Sequence, residues 1–410
     1  MRIAATGFVG ENVGSVATSN SLLLKRLLVL GHDIDFFSKP SFVDPGKSLK
    51  EKQNFKFYAV DNVFADRLRR KVSGFPGISF AAERWDCSSY NRLLLSKISH
   101  EHQKKKYDVC VWFGTYAPGR IKSLPMISFA QGPPGTDAIS IIDRFNEIQT
   151  LAGNGIALRW LALARLRLSQ IGLPKFKCSD HIIVGCEWSR TVLENRFGVS
   201  RKITSCLPYP VDLERFSPRP AKSDLRESKF RVLWLGRIVP RKRIDVFLKG
   251  MEIAISKGLS AECTIVGDVG FIPGYGKLIE SFAYPECIHW IRNIPHHSVA
   301  ETLNRHDVLA QPSDNENFGS SVAEAQACGV PVIVGRSNGN REYLCERDIA
   351  LDDDKPESFA TALTQMYQQK LKSSESEFER SRKFAVSRFG VEGIAEKLLC
   401  EFEAICQVGK

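Results

Sequence analysis

Short apolar runs alternate along this chain with longer stretches whose apolar residues recur every three or four positions, the pattern of βαβ units around buried parallel strands. In the first half, runs at 2–5, 34–37, 109–113, 126–130 and 181–184 predict strands. The first helix is predicted over 14–31, with Leu22, Leu23, Leu27 and Leu30 among its apolar positions and Gly31-His32 as its stop. Between 207 and 220 four prolines suppress regular structure, and a polar stretch continues to Lys229, which predicts a domain linker. A second alternation follows, with strands at 230–235, 262–266, 288–291, 308–310 and 330–334 and a helix from Arg243. The segment 391–406 reads as an amphipathic helix, expected to pack back across the linker. The expected fold class is therefore α/β, with two doubly wound Rossmann-like domains, 1–206 and 207–385, facing an interdomain cleft, and a closing segment 386–410. Ligands bind beyond the carboxyl ends of such strands, so the cleft is where a site belongs.

Length agrees with two domains, because 410 residues exceed what one core usually serves. A composition of 43% hydrophobic and 25% charged residues is that of an ordinary globular protein. The longest apolar stretch, 156–168, is interrupted by Arg159, Arg165 and Arg167 and is shorter than the roughly 20 residues a membrane span needs. The N-terminus enters a strand without a signal-peptide pattern, so a cytoplasmic location is expected. Eleven cysteines, an odd number without a CxxC pair, argue against a disulfide framework or a metal site and are expected to be buried thiols.

Net charge is +11, and it is unevenly spread: residues 1–205 hold 30 Lys and Arg against 17 Asp and Glu, the remainder 27 against 29. Runs such as Arg67-Leu-Arg-Arg-Lys71 and Lys104-Lys-Lys106 can attract an anionic membrane surface or a phosphorylated acceptor, although a solvated helix face is the better reading of either run alone. No aromatic-basic motif accompanies them, so nucleic acid is not an expected partner. Nothing in the pattern sets an oligomeric state.

The most informative stretch is 314–334. There Phe318-Gly319-Ser320-Ser321 reads as a turn feeding a helix that begins near Ser321, with Glu316 and Glu324 on either side. Free backbone N–H groups and the positive end of the helix dipole suit an anion, and flanking carboxylates accept from hydroxyls. Together they suit a diphosphate carrying a sugar at each end, which is a nucleotide-sugar. The same Ser321-Val-Ala-Glu324 also reads as a capping box, whose two side chains satisfy only the helix's own donors. Directly after the strand 230–235, Gly236-Arg237 and Lys242 place cations on a glycine turn, where Arg237 can grip a phosphate with paired donors and Lys242 adds a point charge. Arg241 and Arg243 read as surface charge, and Asp352-Asp-Asp354 as a solvated loop that holds no metal.

Gly236-Arg237 with Lys242, Glu316 eight residues before Glu324, Gly-Val-Pro-Val at 329–332 and Asn338-Gly-Asn-Arg-Glu342 resemble the C-terminal domain of retaining glycosyltransferases of family 4, which have the GT-B fold. Ser179-Asp-His-Ile-Ile-Val184, Trp188-Ser-Arg190, Phe197-Gly-Val199 and Pro210-Val-Asp212 with Phe216 extend the resemblance over residues 175–395. An ordered series is far more specific than any single motif. The resemblance implies that Arg237 and Lys242 hold the donor diphosphate and, with Glu316, carry the catalysis. It implies further that Glu324 accepts from the nucleotide ribose, that Glu316 contacts hydroxyls of the transferred sugar, and that the loop Asn317, Phe318, Gly319, Ser320 and Ser321 supplies backbone contacts. Gly14 matches one of the family's two glycines near the phosphates, and Asn293 and Ile294 fall in a loop expected to meet the donor. Where the family often has histidine, this chain has Gln131, which can hydrogen-bond a sugar but is neither acid nor base. The expected reaction needs no cofactor and no metal, takes a nucleotide-sugar as co-substrate, and serves a glycan or lipid-linked acceptor in cell-surface polysaccharide synthesis, at or near the membrane's inner face. Two rivals stand beside it. One is a GT-B epimerase or a non-catalytic nucleotide-sugar binder. The other is an NAD-dependent short-chain-type oxidoreductase, prompted by Thr6-Gly7-Phe-Val-Gly10-Glu-Asn-Val-Gly14, but the glycine spacing is wrong and none of the nine tyrosines has a lysine four residues later.

Overall fold

The computed structural model describes residues 1–10, 14–39, 47–62, 67, 76–171, 173–218, 229–372 and 375–408. The first sheet contains β1 (Arg2–Gly7), β2 (Asp33–Ser38), β3 (Phe55–Ala59), β4 (Val109–Phe113), β5 (Met126–Phe129), β6 (His181–Val184) and β7 (Thr204–Cys206), in the order β3-β2-β1-β4-β5-β6-β7. The second contains β8 (Phe230–Leu235), β9 (Ala261–Val266), β10 (Ile288–Ile291), β11 (Val308–Gln311), β12 (Val332–Val334) and β13 (Ile349–Ala350), in the order β10-β9-β8-β11-β12-β13. Every pairing in both sheets is parallel. The helices used below are α1 (Ser15–Val29), α2 (Pro76–Lys104), α3 (Thr136–Asp143), α4 (Gly155–Ile171), α5 (Glu187–Phe197), α6 (Ile244–Ser256), α7 (Ser320–Ala327), α8 (Pro356–Lys372), α9 (Glu375–Phe389) and α10 (Val391–Val408).

Both sheets are doubly wound, as the alternation predicts. Strand order reverses between β1 and β4 in the first and between β8 and β11 in the second, and a crevice opens at each of these switch points. The strand ends close tightly there. Gly7, at φ 120°, ends β1 where a Cβ would lie 2.0 Å from the Phe113 carbonyl oxygen, so no other residue fits.

Three strands escaped the sequence pattern because they are short or at a sheet edge: β3 is an edge strand with only Phe55 buried, while β7 and β13 have three and two residues. The strand expected from 330 starts at Val332, since Gly329 turns left-handed at φ 72° and the Val330 amide still bonds back to Ala325.

The chain between β7 and β8 is packed rather than loose. Leu207, Tyr209, Val211 and Phe216 are buried, and Arg382 of α9 donates to the carbonyls of Phe216, Ala327 and Leu213 at 2.5–2.6 Å. Residues 219–228 of the expected linker lie outside the described residues. Tyr209 stands between the halves, its ring centroid 5.1 Å from Phe129 and 5.2 Å from Phe318, and Phe318 meets Phe389 at 5.9 Å. The apolar core therefore runs unbroken from the first sheet into the second. Ile394, Ala395, Leu398 and Phe402 of α10 join the same core as Leu23, Leu24 and Leu27 of α1. In the opposite direction, Ala138, Ile141 and Ile148 join the core around Phe230, Val232 and Trp234, so the segment after β5 crosses to the second sheet.

Two composition-level expectations need amendment. Cys87 and Cys400 are exposed rather than buried, because each falls on the outward side of a surface helix. Of the basic runs, residues 68–71 lie outside the described residues, while Lys104 is an exposed partner of Glu101 at 3.1 Å.

The Tyr209 hydroxyl donates to the Ala130 carbonyl at 2.5 Å in a fully buried setting. Tyr209→Phe leaves that acceptor without its partner and is expected to cost about 1–2 kcal/mol, read as a lowered urea midpoint with an unchanged slope; an unchanged midpoint overturns the assignment.

Candidate functional site

Two loops meet at the switch point of the second sheet. After β8, Gly236 at φ 149° begins the turn that carries Arg237, Arg241 and Lys242 into the start of α6. After β11, the chain runs through Asp314, Asn315, Glu316, Asn317 and Phe318 into α7. The Asp314 amide donates to the Arg241 carbonyl at 2.7 Å, which ties the loops together. The second loop is held from behind: the Glu316 amide and carbonyl bond to Ser337 and Gly339, and the Asn340 side-chain amide donates to the carbonyls of Phe318 and Gly319. Asn338 and Asn340 thus act as a brace for the loop.

Glu316 Oε2 receives both Lys242 Nζ at 2.5 Å and Arg241 Nη1 at 2.6 Å. Burial alone would raise the Glu316 carboxyl, but Arg241 and Lys242 outweigh it and hold the group at about 2. For Lys242 burial acts the other way and pulls it below the ordinary lysine value, only partly offset by Glu316, with Arg241 lowering it further. Two cations share one carboxylate, so the acid stays ionised and the lysine is the member that more readily gives up its proton. Oε1 of Glu316 has no hydrogen-bond partner among the described residues and remains free to accept from a ligand.

Across the cleft Asp137, at the start of α3, meets Arg241 Nε at 2.7 Å and Arg237 at 3.6 Å. Arg237 itself is 65% exposed and stands at the rim. Arg241 does not lie on the surface as expected: its side chain is 14% exposed and bridges the two domains through Asp137 and Glu316. Arg243 is likewise buried, in a left-handed conformation at φ 51°, and bonds Asp245, Asp314 and Asp354. Arg144 comes from the first domain to the same two acids, 2.6 Å from Asp314 and 3.2 Å from Asp354. Asp354 is therefore part of a buried network, whereas Asp352 is the solvated member of that triplet at 94% exposure.

The capping box does not form. The helix starts at Ser320 behind Gly319, no side chain caps it, and Ser321 Oγ instead accepts from Gln311 at 2.5 Å. The Val322 amide turns back to the Gly319 carbonyl at 2.8 Å, which leaves those of Ser320 and Ser321 for a ligand. Glu324, freed from capping, lines a small pocket with Ser15 and Thr18 of α1, Asp212, His296 and Ser320. Burial pushes its carboxyl up to about 8, against a lowering by Arg215 and a further rise from Asp212. His296 faces it at 3.9 Å. Arg215 Nη1 lies 2.9 Å from His296 Nδ1, and since an arginine can only donate, the imidazole accepts there and carries its proton on Nε2. That Nε2 is buried and lacks a hydrogen-bond partner in the described structure. A carboxyl and an N–H at one pocket, 3.9 Å apart and so beyond hydrogen-bond distance of each other, suit a vicinal diol.

The remaining expected residues take varied places. Gly14, at φ 127°, precedes α1 with open space where a side chain would stand. Gln131 is exposed on the loop after β5, and its neighbour Gly132 is pressed against the Asn317 side chain, which also meets Thr136 at 3.4 Å. Asn293 is exposed and Ile294 packs against the core; from that loop it is His296 that reaches the pocket. Sequence reasoning missed Arg241, Asp137 and His296. The first had a signal: three consecutive cations leading into the strongly apolar helix Ile244–Ser256 cannot all face solvent. The other two had none, because their partners are distant in sequence.

Residues 217–384 match the family model described as glycosyl transferases group 1. Among curated relatives, the chain is 28% identical over 253 residues to a GDP-mannose-dependent alpha-(1-6)-phosphatidylinositol monomannoside mannosyltransferase of Mycolicibacterium smegmatis, covering 58% of this chain and 60% of the relative. It is 29% identical over 210 residues to a D-inositol 3-phosphate glycosyltransferase of Thermomonospora curvata, covering 46% of this chain and 49% of that one. The chain thus spans about half to three-fifths of the length of these two relatives. Its fold is similar to that of HepE from Anabaena, solved in complex with UDP, with a TM-score of 0.65 and 14% identity over 98% of this chain and 100% of the other. The architecture is GT-B.

Two outcomes follow from the buried acids. The Glu324 carboxyl is raised from 4.5 to about 8, so the native state binds its proton more tightly than the unfolded state and stability falls as pH rises through that window; Glu324→Gln is expected to remove this part of the slope in melting temperatures, and identical slopes count against the assignment. Glu316→Gln leaves two buried cations facing a neutral amide and is expected to cost about 3–5 kcal/mol in urea unfolding.

Proposed function

Residues 217–384 belong to the glycosyl transferases group 1 family, and on that premise we propose that this chain is a retaining glycosyltransferase, moving a sugar from a nucleoside diphosphate sugar to a glycan or lipid-linked acceptor in cell-surface polysaccharide synthesis. The observation that carries the reading is the pairing of Lys242 and Arg241 on one oxygen of Glu316 at the switch point of the second sheet, on the loop that leads into the helix carrying Glu324, which lines a pocket with His296. The names of the two curated relatives, both glycosyltransferases, and the UDP complex of the structural neighbour support it.

In this reading the diphosphate lies over the start of α7, where free amides and the helix dipole meet it, and takes Arg237 and Arg241 in exchange for Asp137. The ribose hydroxyls pair with Glu324 and His296. A hydroxyl of the transferred sugar donates to Glu316 Oε1, while Oε2 keeps Lys242 in place. The C1–O bond to the β-phosphate then breaks with its electron pair on the leaving oxygen, where the cations stabilise the growing charge. The acceptor hydroxyl attacks C1 from the same face, and its proton passes to that leaving oxygen. Retention follows without a protein nucleophile, and the protein's part is orientation and charge stabilisation. Gln131, exposed on the loop after β5, would hydrogen-bond the sugar in this reading but cannot move a proton. The positive charge the diphosphate needs comes from side chains, so no cofactor or metal enters the proposal. Among the described residues no helix is long and apolar enough to cross a membrane, and a lipid-linked acceptor would be met at the membrane surface.

A thermal-shift panel of nucleoside diphosphate sugars tests this, since a ligand bound only by the native state raises the melting temperature. A shift of several degrees with one donor, lost in Lys242→Ala, is expected. Product analysis with that donor should then show nucleoside diphosphate and a new glycoside of unchanged anomeric configuration, formed only with an acceptor. Free sugar without any acceptor would instead indicate an epimerase-type or hydrolytic activity, and a Lys242→Ala protein that binds and reacts like the parent would falsify the phosphate assignment.

A further inference from the structure

We propose that α4 is a docking element that lays its outer face into the surface of an anionic lipid bilayer. Four of the large apolar side chains exposed among the described residues fall on this one helix: Ile156 at 72%, Trp160 at 69%, Leu161 at 54% and Leu163 at 36%. Positions 156, 160, 163 and 167 follow the helical spacing of a single stripe, so Ile156, Trp160, Leu163 and Arg167 stand together. The opposite face is already used, with Ala162 buried and Leu158 and Leu166 packed against the core of the second sheet. The helix is therefore held by its inner face while its apolar outer face meets solvent.

Charge decides the occupant. The 17 residues of α4 include Arg159, Arg165 and Arg167, all exposed, and no Asp or Glu. A cationic, acid-free helix with tryptophan and leucine outward fits the boundary of an anionic leaflet, where the rings and aliphatic chains enter and Arg167 on the stripe and Arg159 beside it meet phosphates. A second protein copy would bring the same cations face to face. The wider charge agrees, since the first 205 residues carry 30 Lys and Arg against 17 Asp and Glu.

This inference adds a location to the lipid-linked acceptor proposed above and rests on α4, not on the donor site. The test is flotation of the full chain with vesicles of phosphatidylglycerol and phosphatidylcholine, beside vesicles of phosphatidylcholine alone. The parent protein should float with the anionic vesicles only. The double variant Ile156→Ser with Trp160→Ser, which leaves the charge unchanged, should partition about tenfold more weakly or worse. Both positions are exposed, and a far-ultraviolet spectrum and melting temperature like the parent's check that the variant is folded. A donor-induced thermal shift kept by the variant separates failure of this docking face from failure of the donor site. Flotation of the variant like the parent, or a parent left at the bottom of the gradient with anionic vesicles, overturns the proposal. So does a parent dimer that the variant dissolves, which would make a second copy the occupant.

Discussion

One carboxylate oxygen organises the centre of this protein. Glu316 Oε2 binds Lys242 and Arg241 at 2.5 and 2.6 Å in a pocket that leaves all three side chains largely out of water. Each partner depends on the others: burial opposes every one of these charges, and only their mutual field keeps Glu316 ionised at about 2. Because the carboxylate stands on the loop after β11 and the cations on the turn after β8, the pairing closes the switch point of the second sheet and fixes the two loops against each other. In the proposed reading the donor geometry follows from it. One oxygen holds the cations in place, the other stays open, and α7 begins alongside with its first amides uncapped.

The same economy appears where the domains meet. An aromatic chain from Phe129 through Tyr209 and Phe318 to Phe389 makes the contact apolar on one side. On the other, Arg144 and Arg243 share Asp314 and Asp354. Two guanidinium groups among acids satisfy one another's hydrogen bonds, which a lone buried pair rarely does. Their role is as much positional as energetic. Asp314 is held two residues before Glu316, and Arg243 directly follows Lys242, so the network anchors both strands of the site from below. Arg243 adopts a left-handed conformation within that network, a modest strain that the surrounding ion pairs hold in place. Asp137 then touches Arg241 and Arg237 from the first domain, which gathers the cations that the proposed reading assigns to a diphosphate.

Much of the fold was legible before any coordinates. Buried parallel strands leave continuous apolar runs, and five strands of each sheet declared themselves in this way, β12 as part of the longer apolar run 330–334. What stayed hidden was short or at an edge: β7 and β13 hold too few residues to show a period, and β3 is an edge strand that buries only Phe55. The proline-rich connection after β7 was read as a linker because prolines break regular structure. They do not prevent burial, and Tyr209 and Phe216 lie among the most deeply buried side chains.

For the site, the sequence by itself determined the residue types and their local stage: a glycine turn with cations after one strand, carboxylates on both sides of a helix start after another. Those follow from spacing along the chain. Only the tertiary structure decided which charges meet. Arg241 reads as a surface cation until Asp137, 104 residues earlier, and Glu316, 75 later, are seen on either side of it. Ser321 and Glu324 spell a capping box until Gln311 takes the serine and leaves the glutamate to the pocket with His296. The reason is physical. Local spacing governs backbone geometry, whereas the ionisation and pairing of a buried charge depend on what the whole fold brings within a few ångströms of it.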